Sequence, residues 1–253
     1  MSGPADRLVL VTGAARRIGA AIARRLHAEG WAVAIHCARS CNDADALATS
    51  LNTLRASSAR VFSADLRDAP ACERLLQQIS SEWCAPQALV NNASSYFSSV
   101  LGQITPDAIN DLVDTNLKAP LLLTQAAQAS GALRAVVNLL DVHSRHQPRA
   151  GFAAYSAAKD ALWALTELLA VELAPKVRVN GVALGHILAE VGEPPSESEQ
   201  LDLADKATQI ARIPLARFGT PQEVAAAVAW LLSDDASYIS GAIIPVDGAR
   251  RLA

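Results

Sequence analysis

Leu8-Val9-Leu10-Val11-Thr12-Gly13-Ala14-Ala15-Arg16-Arg17-Ile18-Gly19 runs from four apolar residues through a glycine turn into a helical pattern. Gly13 permits the tight turn, and Gly19 lets the following helix pack close to the strand. The helix start then offers free N–H groups to a pyrophosphate. A strand before the glycines, a helix after them and a place at the start of the sheet make this a dinucleotide-binding turn.

The same strand–helix alternation continues outward from the turn. Strand-like runs fall at Leu8–Val11, Ala32–Cys37, Arg60–Ala64, Ala88–Val90, Ala135–Leu140, Val177–Val182 and Ala242–Val246. Helical patterns fall at Ile18–Glu29, Ala69–Glu82, Pro106–Ala129, Tyr155–Leu173 and Pro221–Leu231. Such alternation implies right-handed crossovers and a parallel sheet covered on both faces. The nearly continuous apolar character of the runs fits burial on both sides. The acidic, Pro-rich stretch Glu190–Gln200 breaks the pattern after the sixth strand. It reads as a mobile surface excursion, placed where a lid over the site would sit.

Composition limits the alternatives. With 51% hydrophobic and 19% charged residues over 253 positions, the chain can bury a sizeable core and is not disordered. Twenty-two basic against 25 acidic residues, net −3, leave no face basic enough for nucleic acid. No apolar run approaches the roughly 18 residues of a membrane span, and the opening MSGPADRLVLVTG is not a signal peptide. Cys37, Cys41, Cys72 and Cys84 form no CxxC pair, so free thiols in a cytoplasmic protein are expected, with no disulfide and no metal site. His143 and His146 read as solvated loop residues.

The end of the second strand bears on cofactor choice. An NAD site usually carries a carboxylate there for the ribose 2′-hydroxyl. This chain reads Ile35-His36-Cys37-Ala38-Arg39-Ser40, with no acid. His36, Arg39 and Ser40, joined by Arg16, are donors that suit a 2′-phosphate. NADPH is therefore expected.

Tyr155 and Lys159 stand four apart at the start of an apolar helix and face the same way. A phenol beside an ammonium has its pKa lowered, and a hydride acceptor needs a proton donor beside it. Together with Thr12–Gly19, Asn91-Asn92-Ala93, Asn116 and Arg178-Val179-Asn180, this pair resembles the short-chain dehydrogenase/reductase superfamily along the whole chain. The resemblance implies one three-layer αβα Rossmann domain over residues 1–253, with a doubly wound, seven-stranded parallel sheet and a substrate-loop excursion around 186–212. It implies Tyr155 as acid, Lys159 on the nicotinamide ribose, and Asn116 holding a relay water. Asp65 and Leu66 would lie near the adenine, with Ile18, Asn92, Ala93, Gly185 and Ile187 also against the cofactor. Four chains would assemble. The apolar helices Asp107–Ala129 and Tyr155–Leu173 point the same way, being too hydrophobic on their outer faces for a monomer.

Two departures narrow the resemblance. Arg17 stands where most members carry a third glycine, and Asp141 stands for the usual Ser. With Arg16–Gly19, His36–Ser40 and Asn91–Tyr96, these are similar to pteridine reductases and the related dihydromonapterin/dihydrofolate reductases. That likeness implies that Arg17 reaches cofactor phosphate and substrate, and that Ser94 touches cofactor or pterin. Tyr96 would stack the pterin, and Asp141 would work with Tyr155 in proton transfer. A carboxyl beside a tyrosine can replenish the proton that a ring nitrogen takes, and desolvation beneath a pterin should raise its pKa. A general carbonyl reductase of 3-oxoacyl thioesters is the enzymatic alternative, and a non-catalytic NADPH-binding module the other. The first predicts Ser in place of Asp141, the second a lost Tyr or Lys.

Overall fold

The computed structural model describes residues 7–188 and 206–253. Its elements run β1 (Leu8–Val11), α1 (Arg17–Ala28), β2 (Ala32–Cys37), α2 (Cys41–Leu54), β3 (Ala59–Ser63), α3 (Ala69–Glu82) and β4 (Ala88–Asn91). There follow α4 (Pro106–Val113), a π turn (Asp114–Lys118), α5 (Ala119–Ala129), β5 (Ala135–Asp141), α6 (Val142–Arg145), α7 (Ala153–Glu172) and β6 (Arg178–Leu184). Helices Lys206–Ala211 and Pro221–Leu232 lead to β7 (Ile243–Val246). The seven strands form one parallel sheet in the order β3-β2-β1-β4-β5-β6-β7. The order reverses between β1 and β4, the place where such sheets open a ligand crevice.

Strand alternation splits the core into two layers. Val9, Val11, Val33 and Ile35 face α1, α2 and Pro221–Leu232, meeting Ile22, Leu26, Leu51 and Val228. Leu8, Leu10, Leu89 and Val136 face α3, α5 and α7, meeting Leu75, Ile79, Leu123 and Leu169. Every residue of β1 and β2 is buried, which is why these runs show no polar face.

Two expectations change. The sequence reading assigns no helix to Cys41–Leu54, yet α2 is there and buries Ala44, Leu47, Ala48 and Leu51. The single helix expected over Pro106–Ala129 is interrupted by the π turn Asp114–Lys118. Pro120 lies two residues beyond it and has no N–H to return to the Asn116 carbonyl, so the α-helical hydrogen-bond ladder loses a rung here. The stretch Glu190–Gln200, read as a lid, lies outside the described residues. Among the described residues, no helix is long and apolar enough to cross a membrane.

Candidate active site

The carboxyl ends of β1, β2, β4, β5 and β6 surround a cleft of about 850 Å³. Every residue expected at the site lines it except Asn116.

The turn after β1 is shaped from three directions. Gly13 sits at φ +61°, and a Cβ there would meet the Ala93 Cα at 3.0 Å. A Cβ on Gly19 would lie 2.3 Å from the Gly13 carbonyl oxygen, an impossible contact. Asn92 Nδ2 donates to the carbonyls of Thr12 and Gly13 at 2.8 and 3.1 Å, while Thr12 Oγ1 accepts the N–H groups of Asn92 and Ala93 at 2.9 Å. Asn92 thus builds the turn. No side chain caps the start of α1 and no acid lies in its first turn, so its amides remain available to an anion. Arg17 opens α1 at φ +55°, a region costly for a residue with a Cβ, and its side chain lines the cleft.

His36 corrects the sequence reading. It is buried, its Nδ1 accepts the Gly13 N–H at 3.1 Å, and its Nε2 faces the Ala64 carbonyl at 3.0 Å. Burial lowers its pKa and keeps it neutral, against the smaller opposing pull of the Ala64 carbonyl and Asp65. Both ring nitrogens are engaged, so His36 struts the turn and has no donor left for a 2′-phosphate. Arg16 also turns elsewhere, its guanidinium 2.5 Å from Asp43 Oδ2 on α2. Arg39 and Ser40 remain on the wall beyond β2, and neither side chain has a hydrogen-bond partner among the described residues. Asp65 pairs with Arg67, whose guanidinium holds the carboxyl down at about 2.

At the other end, β5 and the first turns of α7 bring Asp141, Tyr155 and Lys159 together. Tyr155 Oη donates to Asp141 Oδ2 at 3.0 Å. Asp141 Oδ1 accepts both the His143 backbone N–H at 2.8 Å, capping α6, and the His143 ring Nδ1 at 2.9 Å. Burial pushes the Asp141 carboxyl up, but the His143 and Tyr155 donors outweigh it and the net shift is down. The expected rise is therefore corrected: three hydrogen bonds to one carboxylate overcome its desolvation.

Tyr155 shifts opposite to expectation as well. Burial, then the charge of Asp141, raise the phenol well above its usual value. Lys159 Nζ donates to the Leu139 carbonyl at 2.9 Å, and burial brings its pKa down to about 8. The site holds Tyr155 as a phenol, with a proton to give.

Asn116 lies fully buried in the π turn. Its Oδ1 accepts the Ser94 hydroxyl at 2.7 Å, and its Nδ2 donates to the Ser95 and Leu112 carbonyls. Its side chain braces the segment after β4.

Phe152, Arg149 and His186, for which the sequence carries no expectation, pack around these groups. Phe152 stacks on Tyr96 with ring centroids 5.0 Å apart, and Tyr96 meets Tyr155 edge-on at 4.7 Å. Arg149 donates to Tyr96 Oη at 2.9 Å. His143 is buried against His186, not solvated, with ring centroids 4.8 Å apart. His146 is exposed, as expected, and lies edge-on to Trp163.

Residues 13–249 match a family described as Enoyl-(Acyl carrier protein) reductase. The chain is 34% identical to Pteridine reductase 1 of Leishmania tarentolae, covering 99% of this chain and 98% of that protein. The chain belongs to the short-chain dehydrogenase/reductase family. Another member, the 3-oxoacyl-(acyl-carrier-protein) reductase of Staphylococcus aureus, is 35% identical over 94% of this chain and 96% of its own. An uncharacterized oxidoreductase of Methylorubrum extorquens is 34% identical over 99% of this chain and all of its own. As a short-chain dehydrogenase/reductase, the protein is an oxidoreductase whose family uses a nicotinamide dinucleotide. The residues present fit that group: a turn too close for any Cβ, an uncapped helix start for the pyrophosphate, and a phenol–lysine pair at the far end.

Proposed function

We propose that this protein is an NADPH-dependent reductase of a pterin or dihydrofolate-like substrate, working as one catalytic domain. The observation that carries the reading is the Asp141 carboxylate bonded to the Tyr155 hydroxyl beneath the Tyr96–Phe152 wall.

The nicotinamide cofactor, when bound, supplies the hydride. Tyr155 gives its proton to the ring nitrogen, which becomes strongly basic once the neighbouring carbon is reduced. Asp141 orients the hydroxyl and makes a lasting phenolate costly, so Tyr155 is promptly reprotonated from solvent. That charge pattern favours reduction over alcohol oxidation, which would need Tyr155 as a base. Lys159, anchored on the Leu139 carbonyl, would hold the nicotinamide ribose. Tyr96, backed by Phe152, offers a flat wall to a heteroaromatic ring, with Ser94 and Arg17 at its rim.

Following NADPH oxidation with biopterin, dihydrobiopterin, dihydrofolate and an acetoacetyl thioester in parallel tests this reading. Turnover of the thioester alone would overturn it in favour of a carbonyl reductase, the activity named for the staphylococcal relative.

Cofactor preference rests on Arg39 and Ser40, since Arg16 and His36 are engaged elsewhere. A charge-assisted contact contributes about 1.5–3 kcal/mol. Arg39→Ala should therefore raise the KM for NADPH about tenfold or more and leave NADH little changed. Equal use of both cofactors by the unmutated protein would refute the preference.

Assembly follows from the outer helix faces. Leu168 and Val171 on α7 are 65% and 80% exposed, and Ile109 on α4 and Leu121 on α5 are also uncovered. Such a surface suits two-fold pairing between copies, and four chains complete the proposed assembly. Light scattering should give about four times the 26.6 kDa chain mass. A single-chain mass at micromolar concentration would contradict it.

A further inference from the structure

Cys37 ends β2 and Cys41 begins α2, and their sulfurs lie 3.2 Å apart. Between them run Ala38, Arg39 and Ser40, which with Cys37 form the cleft wall beyond β2. We propose that Cys37 and Cys41 are an oxidisable thiol pair whose disulfide clamps this wall and weakens binding of a dinucleotide 2′-phosphate. The effect on binding rests on the reading of Arg39 and Ser40 given above; formation of the bond does not.

The geometry is close to that of the bond. A disulfide holds its sulfurs about 2.05 Å apart, so a further approach of roughly 1 Å is needed. Among the described residues, Cys72 and Cys84 make no such contact: the Cys72 thiol points to the Leu66 carbonyl at 3.6 Å. The two sulfurs also differ in access. Cys41 is half-buried and touches Ser63 Oγ at 3.7 Å, whereas Cys37 is buried in the sheet. Burial, then the Cys41 contact, push the Cys37 thiol up to about 12. An oxidant therefore meets Cys41 first.

With a peroxide, Cys41 Sγ attacks one oxygen, the O–O bond breaks, and Cys41 becomes a sulfenic acid as water leaves. Cys37 Sγ then attacks the Cys41 sulfur, the S–O bond breaks, and the departing hydroxide takes the Cys37 proton as a second water. Two thiols lose two electrons in all, and the peroxide is reduced to two waters. The product fixes both ends of a three-residue segment. Arg39 and Ser40 then lose the freedom to fold around a phosphate.

Trypsin provides a direct readout, because it cuts after Arg39, between the two cysteines. Hydrogen peroxide treatment of the full chain should leave Leu26–Arg39 and Ser40–Arg55 linked, two hydrogens lighter than their sum. Dithiothreitol should separate them. By fluorescence titration, oxidation should raise the NADPH Kd about tenfold, as loss of one charge-assisted contact predicts, while the NADH Kd changes less than about twofold. Cys41→Ser should give no linked peptide and an NADPH Kd indifferent to peroxide. Absence of the linked peptide in the unmutated chain, or its presence with unchanged NADPH affinity, overturns the proposal. If the reduced chain binds both dinucleotides equally, the 2′-phosphate reading fails, and the linked peptide alone then decides the thiol pair.

Discussion

Tyr155→Phe is expected to lower turnover about 10²- to 10⁴-fold, the usual contribution of a positioned general acid. The substitution removes the hydroxyl that donates to Asp141 Oδ2 and leaves the ring against Tyr96. Dinucleotide binding should stay near its original strength, because Lys159 is anchored independently on the Leu139 carbonyl. The loss should therefore appear in kcat, with the cofactor Kd almost unmoved. Asp141 Oδ2 would lose a donor, so thermal stability should fall slightly, and circular dichroism will separate that loss from the catalytic one. Turnover within a few-fold of the original would mean that another group carries the proton.

Asp141→Asn is expected to cut pterin reduction by at least about tenfold, matching the roughly 1.5–3 kcal/mol of a hydrogen bond to a charged group. The amide keeps an oxygen for the His143 N–H but presents an NH₂ to Tyr155, so the hydroxyl no longer has an acceptor there. Asp141→Ser should be as damaging. Tyr155 is the proton donor to either kind of substrate and Asp141 orients its hydroxyl for both, so the measurement to make is pterin turnover set against dinucleotide binding. Spectroscopic dinucleotide binding checks that the cleft is intact. Pterin turnover that survives in well-folded Asp141→Asn protein would reduce the functional reading to a short-chain reductase of unknown substrate.

The sheet was legible because its strands are buried on both faces: Leu8–Val11 and Ala32–Cys37 are found as read. Helix α2 was not, because its core face pairs two leucines with two alanines among polar residues, although Ala44, Leu47, Ala48 and Leu51 keep helical spacing. The π turn ends two residues before Pro120, a local signal that the apolar period conceals. In the site, the four-residue spacing of Tyr155 and Lys159 does bring both to the cleft. The sign of the proton chemistry was hidden, because it depends on burial and on His143 turning back onto Asp141. His36 was misjudged for want of strand parity. Val33 and Ile35 pack on one sheet face, so His36 belongs with Ala34 on the other.

The strut from His36 to the Gly13 amide has a bearing on protein engineering. A glycine-rich turn is commonly handled as a cassette, to be moved with its own strand and helix into another scaffold. Here the conformation of Gly13 and Ala14 is held by the ring and the carbonyl of a residue on the neighbouring strand, and the ring in turn rests on the Ala64 carbonyl beyond a third. Thr12–Gly19 transplanted alone would leave behind the groups that give it its shape. The smallest transferable unit takes in β1, β2 and β3 together with β4, at whose end Asn92 stands.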